Sequence, residues 1–251
     1  MYLQSGSQLR GLVDALGSAG ASVGGTDKWS LVFHLAAWRD DKNIRVEKLR
    51  CEMAVTKPVL AEFMKLIRPY SMIEARITDC TSTGAAVLET VEIFAGEDGD
   101  LATVKDELLT PVRINTQHFG VLELDRRFGE FVGKINWCGL NVSLHLSCSD
   151  HNAPEAAFAV ADALFSARED WNTRVKEFAA DHMLSLKNDN WLHDGESELS
   201  RENFISCMTL IEINIDENGN FTFSYDDGDL FWGHTIAVSG NIVDGLRDAE
   251  I

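Results

Sequence analysis

The chain has 251 residues, 45% hydrophobic and 25% charged, the balance of an ordinary globular protein with room for one large core or two smaller ones. Its formal net charge of −18 repels phosphate backbones and argues against nucleic acid as a partner. No apolar run approaches the roughly 20 residues of a membrane helix, so no membrane partner is expected, and the N-terminus shows no secretory signal.

The charge is unevenly placed. Residues 1–110 carry 12 basic against 16 acidic side chains, a balance of −4, and residues 111–251 carry 10 against 24, a balance of −14. Such a surface attracts a basic partner or a cation, although plain solubility explains it as well. Five cysteines stand singly at Cys51, Cys80, Cys138, Cys148 and Cys207. An odd, dispersed set without a signal peptide fits reduced thiols in the cytoplasm.

In chain order, residues 1–27 are rich in Gly, Ser and Ala and read as a flexible N-terminal arm, with Leu9, Leu12, Val13 and Leu16 at the spacing of a marginal helix. Residues 28–110 read as a small α+β domain. Leu31, Phe33 and Leu35 alternate with Ser30, Val32 and His34 as a strand, and the polar run from Arg39 to Asn43 turns it into a hairpin. Thr56 and Pro58 open a helix that buries Leu60, Phe63, Met64 and Ile67 and stops before Pro69. Strands follow near 72–78 and 85–94, then a helix capped by Asp98 or Asp100 and closed by Pro111.

Residues 111–251 read as a second α+β domain. Residues 112–115 and 119–124 open it, Phe128, Phe131, Val132 and Ile135 lead to Trp137, and 142–146 follow, together a three-strand antiparallel meander with aromatic residues on one face. Ser149 or Asn152 starts about 30 helical residues from Pro154, broken near Asp170 and covering one sheet face. A short helix runs from Arg201 to about Ser206. Glu217-Asn218-Gly219-Asn220 then joins two strands as a hairpin. A last strand is expected over Leu230–Val238. The fold class is therefore α+β, two units of antiparallel sheet with helices packed on one face.

The richest chemistry lies in Tyr225-Asp226-Asp227-Gly228-Asp229-Leu230-Phe231-Trp232-Gly233-His234-Thr235-Ile236. Strand alternation puts Trp232, His234, Ile236 and Val238 on one inner face. His234 then serves either as a general base or metal ligand oriented by an acid, or as a structural hydrogen-bond hub holding the 226–229 turn. Asp226, Asp227 and Asp229 do not follow calcium-loop spacing and read as a turn, as do Asp216–Asn220. His145, Cys148 and His151 are ligand-like in type but only three in number, and read as a strand end entering a loop. Neither a G-x-S-x-G elbow nor H-E-x-x-H occurs. No catalytic residue, metal or cofactor is assigned. Trp191 sits among Asp189, Asp194 and His193, the setting of a protein-binding hot spot or of a ring folded over the core.

The run Phe119-Gly120-Val121-Leu122-Glu123-Leu124-Asp125-Arg126-Arg127, with Phe131, Trp137 and the Tyr225–Ile236 segment, resembles an uncharacterised bacterial family of unknown function. The resemblance covers roughly Pro111 to Ile251 and implies no established activity. By analogy between families it points to small acidic α+β proteins that act as immunity proteins against toxins. The expected function is a non-enzymatic acidic cytoplasmic binding protein, an immunity protein neutralising a basic toxin. Binding candidates are Asp226, Asp227, Asp229, Trp232, His234 and Trp191. The competing expectation is a metal-dependent or acid/base hydrolase centred on His234 with Asp226, Asp227 and Asp229.

Overall fold

A 15-residue strand, β1 (Gln8–Ser22), begins the chain where a flexible arm was expected. The computed structural model describes residues 4–22, 28–39, 43–148 and 154–251; residues 1–3 and 23–27 of the expected arm, the hairpin turn at 40–42, the helix starts Ser149 and Asn152, and His151 lie outside them. Small residues make β1 a strand because it must bend under close neighbours. A Cβ at Gly11 would stand 2.5 Å from a Leu35 methyl, and one at Gly20 2.4 Å from a Leu60 methyl. Leu9, Leu12 and Val13 are buried, while Leu16 is exposed. Strand β1 pairs with β5 through Gln8–Leu12 and with β2 from Arg10 to Ser22, its register with β2 shifting between Val13 and Ser18.

The chain divides into two units, Met1–Pro111 and Val112–Ile251. In the first, β1 is followed by β2 (Trp29–Arg39), β3 (Ile44–Arg45), β4 (Leu49–Val55), α1 (Lys57–Leu66), β5 (Met72–Cys80), β6 (Ala86–Ile93) and α2 (Gly99–Leu109). Strand β1 pairs with β2 and β5, β2 with β4, and β5 with β6; β4 and β6 close the ring in parallel. Five strands linked in the order β1–β2–β4–β6–β5–β1, with a helix between β4 and β5, have the connectivity of an OB barrel. The outward side chains of β2 and β4 are Ser30, Val32, His34 and Ala36, then Arg50, Glu52 and Ala54. His34 carries the one aromatic ring among these side chains; none of them is a Phe, Tyr or Trp.

Helix α1 buries Leu60, its C-cap residue Ile67 is buried too, and Met64 is exposed. Helix α2 adds Leu101 and Val104 to Leu12 and Ala37. Asp98 fixes it there, its carboxylate taking Arg39 at 3.0 Å, Arg10 at 3.2 Å and the N–H of Leu101 at 3.3 Å. Burial opposes ionisation of Asp98, but the hydrogen bonds from Arg39, Leu101 and Arg10 outweigh it and hold the carboxyl below its ordinary value of 3.8. A carboxyl depressed in the folded state stabilises above the unfolded value and loses that contribution as pH falls through the folded one. Hydrogen exchange of the α2 amides, corrected for intrinsic rates, is therefore expected to accelerate only below pH 3.8. Asp98→Asn should remove that dependence. A wild-type α2 already unprotected at pH 5 would contradict the assignment.

The second unit contains β7 (Arg113–Thr116), β8 (Gly120–Asp125), β9 (Glu130–Trp137), β10 (Leu140–Ser147), α3 (Glu155–Ser166), α4 (Arg168–Asn190), α5 (Arg201–Cys207), β11 (Thr209–Asp216), β12 (Asn220–Asp226), β13 (Thr235–Asn241) and β14 (Gly245–Glu250). They form one eight-stranded sheet in the order β14-β13-β12-β11-β10-β9-β8-β7. Strands β7–β10 make the antiparallel meander, and β11–β14 are antiparallel in turn, but β10 and β11 run parallel. Both units thus hold mixed sheets, which corrects the expectation of purely antiparallel ones. The reason in the second unit is the α3–α5 crossover, which returns the chain in the same direction.

One sheet face packs on the helices through Phe131 against Phe158, Trp137 against Phe165 and Trp171 against Phe221. The helical stretch breaks at Ala167, which ends α3 and starts α4, rather than at Asp170. Along α4, Val175, Ala179, Met183 and Lys187 are all buried. The fourth member of this every-fourth-residue stripe is a lysine. No helix among the described residues is long and apolar enough to cross a membrane.

Candidate functional site

Asp227 decides the local structure of the late segment. Its side chain is buried at 2% exposure. Oδ1 accepts the N–H of Asp229 at 3.2 Å, and Oδ2 accepts those of Phe231 at 2.6 Å and Gly233 at 3.2 Å. A chain whose N–H groups converge on one carboxylate cannot extend, so residues 230–234 coil and β13 starts only at Thr235. This corrects the strand expected from Leu230, and with it the assignment of Trp232 and His234 to an inner face. Phe231 is fully buried, Trp232 is 55% exposed, and His234 is exposed.

The coil needs backbone that side chains resist. Asp229 has φ 71° and Trp232 φ 57°, alongside Gly228 at 56° and Gly233 at 85°. Such a φ on a bulky residue costs on the order of 1–3 kcal/mol and persists only where the surroundings impose it. Gly228 is also obligatory on space, since a Cβ there would lie 2.5 Å from the Cys207 carbonyl oxygen.

The other half of the site is the loop after α4. Lys187 is 1% exposed, and its Nζ donates to the Trp191 carbonyl at 2.8 Å and to Glu196 Oε2 at 3.0 Å. The same Glu196 oxygen accepts the His193 N–H at 2.7 Å. That backbone donor, then Lys187, holds the Glu196 carboxyl below its usual range. Asn188 fastens the far end by exchanging two hydrogen bonds with the Leu199 backbone.

The two staples bring Trp191 and Trp232 into contact, ring centroids 4.8 Å apart at 62°. Trp191 also meets Phe231 at 5.6 Å and His234 at 5.6 Å. His193 lies 5.9 Å from Trp232 and 3.5 Å from Asp229 through Nε2 and Oδ2. Of the sequence candidates, Trp191, Trp232, His234 and Asp229 are assembled at one surface, with Asp227 beneath them. Asp226 is exposed and bonds the Gly228 N–H. His193, Lys187 and Glu196 were not anticipated. The break in the α4 stripe at Lys187 is the sequence signal that marks the last two.

The three carboxylates named with His234 each have their own partner, Asp226 the Gly228 N–H, Asp227 the turn backbone and Asp229 the His193 ring. Burial pushes the Cys51 thiol up to about 12, while burial and then Glu169 push Cys138 up to about 11. Both thiols are poor nucleophiles at neutral pH. His145 is flanked by Glu130 at 2.9 Å and Glu212 at 3.3 Å, and Cys148 is buried. Asp216 spends its oxygens on Asn218 and Asn220 within the hairpin turn. Among the described residues, no group of three or more His, Cys, Asp or Glu is arranged to hold a metal ion.

Fold and site together define a mixed α+β protein whose second unit displays an aromatic surface held by two buried charged staples. Residues 116–251 match the profile of an uncharacterised protein family conserved in bacteria, DUF2262, and the chain belongs to that family. The matched region contains the whole site. No curated protein matches the chain. Among solved structures, it is similar to the wild-type single-stranded DNA-binding protein from Thermus aquaticus at 11% identity. That likeness covers 57% of this chain and 75% of the other, with a TM-score of 0.26, too slight to bear on function.

Proposed function

We propose that this chain is a non-enzymatic binding protein that captures a basic protein partner in the cytoplasm, as an immunity protein occludes a basic toxin. The observation that carries the reading is Trp232, a large apolar ring held in solvent on left-handed backbone by a buried carboxylate. Tryptophan is the residue type most enriched at binding hot spots. Its surroundings supply the steering charge. From Asn188 to Ser200 there is no Lys or Arg, and besides Glu196, which Lys187 pairs, there are three acids, Asp189, Asp194 and Glu198. Asp226 and Asp229 face solvent beside them. A field of this sign accelerates encounter with a positive surface, and the aromatic anchor then slows dissociation.

A photo-crosslinker at position 232 in the native bacterium should trap a basic protein that a crosslinker at the exposed Val243 does not. With the purified partner, Trp232→Ala should weaken binding by about 2 kcal/mol, roughly 30-fold, mostly in the dissociation rate, with the fold intact. Raised salt should slow association. An affinity indifferent to Trp232→Ala would overturn the reading.

A further inference from the structure

The partner's contact with Trp232 can be read from how this protein satisfies its own aromatic and acidic side chains. Arg127 lies over the Phe128 ring at 5.3 Å and pairs with Asp125. Arg174 lies over Trp171 at 4.4 Å and pairs with Asp170 at 3.3 Å. Arg10 lies over Phe94 at 3.7 Å and pairs with Asp98 at 3.2 Å. In each case one guanidinium serves a ring and a carboxylate together, its carbon over the first and an N–H turned to the second.

Asp229 and Trp232 present the same two groups, spaced in sequence like Asp125 and Phe128. The Asp229 side chain is 74% exposed and Trp232 as a residue 55%. His193 ties them together in space, touching the carboxylate at 3.5 Å and tilting 33° to the indole. Among the described residues, no arginine or lysine is placed over Trp232. We infer that an arginine side chain of the basic partner stacks on Trp232 with its guanidinium paired to Asp229. This rests on the docking reading above and names the chemistry of its central contact. Arginine is favoured over lysine because an ammonium is a point charge that is strongly hydrated and has no plane to stack.

The test follows the Trp232 indole N–H by NMR in the full chain, assigned with Trp232→Phe. The ligands are short Gly-spaced peptides carrying three arginines, three lysines or three citrullines. The arginine peptide should shift Trp232 and bind roughly 3-fold or more tighter than the lysine peptide, because only a planar, weakly hydrated guanidinium meets the ring and the carboxylate at once. Citrulline should abolish the shift. Asp229→Asn should bring arginine down to the lysine level while leaving the Trp191 indole signal in place. Equal arginine and lysine affinities would overturn the inference and leave the docking reading standing. A Trp232 signal unmoved by any of the peptides overturns it too, and docking is then judged by the partner's loss of affinity for Trp232→Ala.

Discussion

Asp227→Ala is expected to destabilise the second unit by about 4 kcal/mol, the largest effect of any single substitution in the site. The carboxylate accepts three backbone donors. The Phe231 N–H is buried with its side chain, and leaving it without an acceptor costs on the order of 2–3 kcal/mol. The Asp229 and Gly233 donors are half-covered and can turn to water, at roughly 0.5–1 kcal/mol each. The strained φ of Asp229 and Trp232 would then relax, so part of the loss returns as a turn that has forgotten its shape. Asp227→Asn separates the contributions. The amide keeps one acceptor oxygen but aims N–H at N–H on the other side, so roughly half the destabilisation should remain. Urea denaturation gives the energies. Hydrogen exchange at Phe231 and Gly233 should show where the turn opens, and partner affinity should fall at least as far as with Trp232→Ala. A variant with wild-type stability and protected Phe231 would show that the carboxylate does not build the turn.

The reach of sequence reasoning here follows from the range of each interaction. Alternation marked β2 because Leu31, Phe33 and Leu35 all enter the barrel interior, and Asn and Gly marked the β11–β12 turn because the conformation is set within four residues. Strand β1 was misread as an arm. Its Gly11 and Gly20 are dictated by Leu35 and Leu60, neighbours distant in sequence. The parallel pairings of β4 with β6 and β10 with β11 carry no local signature, since a crossover can return a strand in either direction. At the late segment, the sequence singled out Asp227, Trp232 and His234 but not their arrangement, and it missed His193, Lys187 and Glu196. Alternation from Leu230 to Val238 assumes an extended backbone, and one aspartate two residues after Tyr225 removes it. The aromatic cluster then forms outside the sheet instead of within it.

Lys187 should separate stability from site geometry. Lys187→Ala is expected to cost about 3 kcal/mol, because it deletes a buried four-carbon stem and leaves the Trp191 carbonyl without its donor. Lys187→Met refills most of that volume with an apolar chain and continues the Val175, Ala179, Met183 stripe. Replacing a buried charge by a well-packed hydrophobe is often close to neutral, so the methionine variant should recover most of the loss in urea denaturation. It restores no hydrogen bond, however. The loop from Trp191 to Glu196 would keep the Glu196–His193 backbone contact but lose its anchor on α4. Trp191 and His193 would then disengage from Trp232, read as a change in the Trp232 indole resonance and faster exchange at Trp191 and His193. Binding should weaken roughly 10-fold in a protein nearly as stable as wild type, an effect of preorganisation rather than of lost contact. Should Lys187→Met instead bind its partner as tightly as wild type, the anchor would serve folding alone. Trp232 on its Asp227 turn would then be sufficient for recognition.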